Sequence, residues 1–224
     1  MSKQNLAFVP GTGPLPEQGF EGVYGPYIIT VEDQLEVQRY RLSLLVCALS
    51  FLVGIGQWIL FGPELAWLWL IPMATSLGLA LKWIHIYLRP LHLGLKLFWA
   101  LGCLGVIFMF WRLGSNEMLA TLSSQPTWTW AIGPLFAALT GIGFKEFFCF
   151  QRIEAVGVTL LLPIALIGYL IGLINGTIVM VLLALSSALL LIMAIRKFGI
   201  AAAADVGDKS VFAYLDGQLK ADAQ

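Results

Sequence analysis

The chain has 224 residues, 59% of them hydrophobic and 12% charged, with a mean hydropathy of +0.85. A soluble domain carries about 25% charge, so this chain has too little polar residue to cover a water-facing surface, and the soluble globular class is excluded. Thirteen Lys and Arg balance thirteen Asp and Glu, which leaves no basic face for nucleic acid.

Residues 1–30 are polar and rich in Gly and Pro. They lack the basic start, short apolar stretch and small-residue cleavage site of a signal peptide, and they lack the Arg- and Ser-rich character of an organelle leader. They read as an uncleaved amino-terminal arm of a bacterial chain. Cys47, Cys103 and Cys149 are odd in number and widely spaced, a pattern that fits neither a disulfide framework nor a zinc site.

Thr30 followed by Asp33 has the form of a capping box, so a helix is predicted from Val31, running about two turns before it enters the bilayer. Its opening stretch, "TVEDQLEVQRYRLSLL", sets Glu36, Arg39 and Tyr40 at i, i+3 and i+4 spacing on one face. That face is either an ordinary solvated helix start or, with the "GVYGPY" arm before it, a docking surface for a cytoplasmic partner.

About 20 consecutive apolar residues cross a bilayer. Six runs of that length are predicted, near 42–61, 66–85, 93–111, 128–144, 155–174 and 177–195. With this count Lys3, Arg39, Arg41, Lys82, Arg89, Lys96, Lys145, Arg152, Arg196, Lys197, Lys209 and Lys220 fall on one side and Arg112 on the other. Basic loops resist translocation, so both termini are expected in the cytoplasm. Trp58, Trp67, Trp69, Trp111, Trp128 and Trp130 gather near the opposite span ends, at the headgroup depth indole prefers. The expected fold is all-α: a six-transmembrane-helix bundle over residues 31–197 in a lipid bilayer, with the arm before it and a cytoplasmic tail at 198–224.

Pro72 is expected to interrupt the second span and Pro163 to kink the fifth. Together with "VGIGQW" in the first span and "TGIGFK" in the fourth, they admit a three-plus-three inverted repeat of the transporter kind. His85 and His92 lie seven residues apart, two helical turns, with Pro90 between them. Each is read either as an interfacial structural histidine or as a haem or pigment ligand. The connection from Arg112 to Thr127 leaves room for a short interfacial helix from Ser115. No span carries Asp, Glu, Lys or Arg near its middle, which shifts weight away from ion-coupled pumps and membrane enzymes. No catalytic residue and no cofactor is assigned.

"GFKEFFCFQRIEA", residues 143–155, is expected to form the cytoplasmic turn between spans four and five. Lys145, Glu146, Arg152 and Glu154 there pair with one another at the interface or dock a partner. Glu146 and Cys149 share a face at i, i+3, a metal pair if a histidine comes close. Gly168, Gly172 and Gly176 in "GYLIGLING" repeat small-xxx-small spacing and are assigned to helix packing, within the bundle or between copies.

"GIGFKEFFCFQRIEA", followed by an apolar run with a central proline, and "YIITVEDQLEVQRYRLSLL" resemble an uncharacterised integral-membrane family of cyanobacteria and chloroplasts. The resemblance covers about residues 22–200. It implies a multi-spanning protein of a photosynthetic organism, in a plasma or thylakoid membrane, and supplies no activity. The leading expectation is a non-enzymatic accessory, assembly or scaffold protein whose cytoplasmic face binds other membrane proteins. A small transporter or channel for a neutral solute, with a midplane cavity between Pro72 and Pro163, and a pigment- or haem-binding protein are the alternatives.

Overall fold

In a computed structural model, which describes residues 17–222, Thr30 caps the first long helix as its sequence predicts. Its Oγ1 accepts the Asp33 N–H at 3.2 Å while the Thr30 N–H donates to Asp33 Oδ2 at 2.7 Å. Helix α1 (Val31–Phe61) has 31 residues, about 46 Å of rise, well over the roughly 30 Å hydrocarbon core. It is followed by α2 (Leu70–Trp83), α3 (Arg89–Glu117), the short α4 (Ala120–Ser124), α5 (Thr129–Phe150), α6 (Ile153–Leu170) and α7 (Gly176–Lys197). Each long helix packs on its neighbours in the chain, α3 meeting α5 past the short α4, and α7 returns to α1. The helices thereby close a ring.

Five of these helices are long and apolar enough to cross a membrane. The predicted second span differs. A four-residue 3-10 turn, Ala66–Trp69, leads into the fourteen-residue α2. Pro72 sits in the first turn of that helix, where a missing N–H breaks no helical bond, so it starts α2 rather than interrupting it. Pro163 lies inside an unbroken α6. The two prolines therefore hold unlike positions, against the inverted-repeat scheme.

Between α3 and α5 the expected interfacial stretch breaks at Gly114 (φ +75°) and continues as α4 and a 3-10 turn. This stretch is anchored by Met118 and Leu119, both buried, and by the Tyr169 hydroxyl donating to the Leu122 carbonyl at 2.7 Å. At the opposite end of the bundle, α5 runs on to Phe150. The expected turn at 143–155 shrinks to Gln151 and Arg152.

Within the bundle, the glycine assignment needs correcting. Gly172 (φ +74°) ends α6, with the Leu173 N–H reaching back to the Gly168 carbonyl at 2.8 Å, the 6→1 bond of a Schellman cap. Around Gly176 a side chain would meet open space, and at Gly168 it would meet only Ile174 of the same turn. Close helix approach is carried instead by Gly102 and Gly105 on α3. A methyl group on either would overlap the α5 backbone, at Leu135 N and Ala131 O respectively.

The fold is not wholly helical. Strands β1 (Gln18–Gly22) and β2 (Gly25–Ile29) pair antiparallel, with Phe20 opposite Tyr27 and their rings stacked at 5.6 Å. The Gly- and Pro-rich text of the arm conceals this alternation. The hairpin packs with α8 (Ala202–Val206) and α9 (Lys209–Asp222) on the end of α1. Ile29, Val37 and Val206 form a small second core there. The described parts of the arm and the tail are thus joined over one end of the bundle. Of the bases used to orient the chain, Lys3 and the side chain of Lys220 lie outside the described residues.

Candidate functional site

The first place where chemistry gathers is the bundle end beneath this terminal cap. Tyr40 and Arg41 come from α1, Lys145 and Glu146 from α5, Lys197 from the last turn of α7 and Asp205 from α8. All six are buried. The Tyr40 hydroxyl donates to Glu146 Oε1 at 2.7 Å. Lys145 Nζ donates to the same oxygen at 3.1 Å and Lys197 Nζ to Oε2 at 2.5 Å. Arg41 Nε and Nη2 both donate to Asp205 Oδ2, at 2.8 and 2.5 Å. Lys197 Nζ also pairs with Asp205 Oδ1, an ion contact without an aligned hydrogen bond. The lysine stands 4.2 Å from the Phe150 ring centroid, within cation–π range. Buried charges persist when paired and hydrogen-bonded, and four elements are tied together by this requirement.

A second cluster lies beside it. Glu154, also buried, receives Arg196 Nη1 at 3.0 Å and Arg152 Nη1 at 3.5 Å.

These positions alter the docking assignment. Tyr40, Lys145, Glu146 and Glu154 face inward and present no surface to a partner. Arg39 is exposed, stacked over Trp83 at 5.8 Å. Glu36 is partly exposed and pairs with His85, and Arg152 is half-buried. The i, i+3, i+4 face read from the sequence thus splits in three directions. The expected pairing of Lys145 with Glu146 and of Arg152 with Glu154 is present, but inside the protein.

The histidines do not converge. His85 Nε2 lies 3.4 Å from Glu36 Oε2, and His92 Nε2 donates to the Leu81 carbonyl at 2.7 Å, near the carboxyl end of α2. Burial holds the His85 imidazole below its usual 6.5, with Glu36 pulling the other way. Cys149 is exposed while Glu146 is buried, so the proposed metal pair does not form. Among the described residues no group of three His, Cys, Asp or Glu side chains is placed to hold a metal.

Sequence reasoning gave Arg41 and Lys197 only a topological role and passed over Asp205. Its local signal in "IAAAADVG" is slight: an acid at the end of an alanine run, three residues before Asp208.

The second place is a cavity of about 400 Å³ in the other half of the ring. Phe51, Met73, Phe136 and Leu183 line its depth. Trp58, Trp69 and Tyr169 line its sides, with the hydroxyls of Ser50, Thr129 and Thr177. It reaches the rim at Ser123, Gly176 and Thr177, which are exposed. Neither Pro72 nor Pro163 borders it. Below it Cys47, Leu77, Leu139, Ile142 and Leu190, all fully buried, separate it from the ionic cluster.

Residues 79–214 match the model of a family described as uncharacterized integral membrane protein (DUF2301). The match runs from the last turns of α2 into α9, taking in Lys145, Glu146, Lys197 and Asp205 but not Tyr40 or Arg41. Neither a curated protein nor a solved structure matches the chain.

Proposed function

The chain belongs to this family of integral membrane proteins, and from that premise we propose that it is a carrier for a small, neutral, weakly polar solute. The cavity supports the reading. Its volume falls in the range of small-molecule sites, its walls are apolar and aromatic, and a few hydroxyls supply orientation. The lining carries no charge, so an ionic ligand would be desolvated there without a partner. In this reading the solute is bound and passed on, not converted.

The membrane arrangement is part of the same proposal. The 3-10 turn and α2 together rise about 29 Å, close to the hydrocarbon thickness, and make the sixth crossing. Both termini then lie on one face, and the excess of Lys and Arg on that face sets it in the cytoplasm. The cavity opens to the other side, with the apolar layer and the ionic cluster closing the cytoplasmic end.

Trp58 and Trp69 border the cavity, so tryptophan emission reports occupancy. Titration of the detergent-purified protein with benzyl alcohol is expected to shift that emission saturably, and Leu183→Trp, which narrows the cavity, to weaken the saturable component. A linear response identical in both proteins sinks the proposal.

A further inference from the structure

Three buried cations, Arg41, Lys145 and Lys197, meet at one end of the bundle, on α1, α5 and α7. The transmembrane helices bring one carboxylate into this cluster, Glu146. The second comes from outside the ring, on the five-residue α8. Without Asp205, three buried cations would face a single acid, and an unpaired ion in such a site is strongly destabilising. The guanidinium of Arg41 and the ammonium of Lys197 both aim at the Asp205 carboxylate.

The segment that carries Asp205 is held on both sides, by the Arg41 guanidinium donating to the Ala201 carbonyl and by Lys209 pairing with Asp33. Gly199 and Gly207 (φ +77°) flank it. Of its residues, Val206 alone adds a fully buried large side chain, against Ile29 and Val37. Ile200 is half-buried, and its other apolar residues are alanines, which bury little area.

We propose that Arg41 and Lys197 form a carboxylate-binding site, of which Asp205 is the tethered occupant. With the Asp205 side chain absent, the site takes a small free carboxylate in its place. The inference stands apart from the solute reading, since it concerns a different end of the molecule and a charged ligand.

Chemical rescue tests it in the full-length protein. Asp205→Ala vacates the site, and formate is the probe, against chloride at equal ionic strength. Formate is expected to raise the folded-to-unfolded ratio of the variant about 100-fold when it stands about 100 times above its dissociation constant. The wild type, its site filled, is expected to respond to formate no more than to chloride. Adding Lys197→Met to Asp205→Ala should remove the response. If Asp205→Ala does not fold in chloride, recovery of folded protein from cells and buffers supplied with formate supports the site. Formate acting no better than chloride on Asp205→Ala, by either measure, overturns it.

Discussion

The hydroxyl of Tyr40 donates to Oε1 of Glu146 at 2.7 Å, joining residues 106 apart in the chain. This bond ties α1 to α5, helices that are not neighbours in the ring, through its interior. A hydrogen bond to a buried carboxylate is worth about 1.5–3 kcal/mol. Tyr40→Phe keeps the ring against both lysines and removes only that donor. Its thermal unfolding in detergent is expected to show a loss of that size, and a wild-type melting curve would show that the bond contributes nothing.

Glu146 itself carries more, because two lysines depend on it. Glu146→Ala leaves Lys145 and Lys197 short of a counter-charge in a dry site, at a cost of about 3–5 kcal/mol. Substituting Glu146→Leu together with Lys197→Met removes both members of one buried pair. That double variant is expected to melt above Glu146→Ala, since an apolar pair of similar volume is often tolerated where half of an ion pair is not. A double variant less stable than Glu146→Ala contradicts the pairing.

Much of this architecture is legible in the sequence, for a physical reason. Span positions follow from apolar run length, and the start of α1 follows from Thr30 and Asp33 acting within one turn. Both are local. The ionic cluster is not, because Tyr40 and Arg41 meet partners 106 and 164 residues away along the chain, and Lys197 meets Glu146 across 51. Charge alone, without those partners, reads as solvated rim. Lys145 and Glu146 therefore read from sequence as part of a wet turn, although α5 carries them inward. Asp205 has no local signature beyond the alanine run before it.

The glycines show the same limit. Spacing of four marks Gly168, Gly172 and Gly176, while the glycines that touch a neighbouring backbone, Gly102 and Gly105, are three apart. Gly105→Ala is expected to force α3 away from Ala131 and to cost about 1–3 kcal/mol, as overpacking does. Gly176→Ala meets nothing and is expected to stay within about 0.5 kcal/mol of the wild type. Denaturation of the two variants side by side checks the assignment, and the reverse order would restore the original one.

His85 gives the protein a pH dependence whose sign is set by burial. Desolvation, the larger influence, holds its folded-state pKa below 6.5, against the pull of Glu36, Asp33 and Asp205 and with the push of Lys145. The unfolded chain then binds the proton more readily than the folded one, so stability rises with pH across this window. The contribution is complete above about 6.5, the unfolded value, and is lost as pH falls from there toward the lower folded-state pKa. His85→Gln keeps a polar group near Glu36 and cannot titrate. Melting temperatures of the two proteins, measured from pH 7.5 to 5, are expected to converge in slope above the histidine range and to diverge below it, the wild type falling faster. A wild type that gains on His85→Gln as the pH drops would mean that the Glu36 contact outweighs burial, and that the imidazolium, not the neutral ring, is the form this end of the bundle holds.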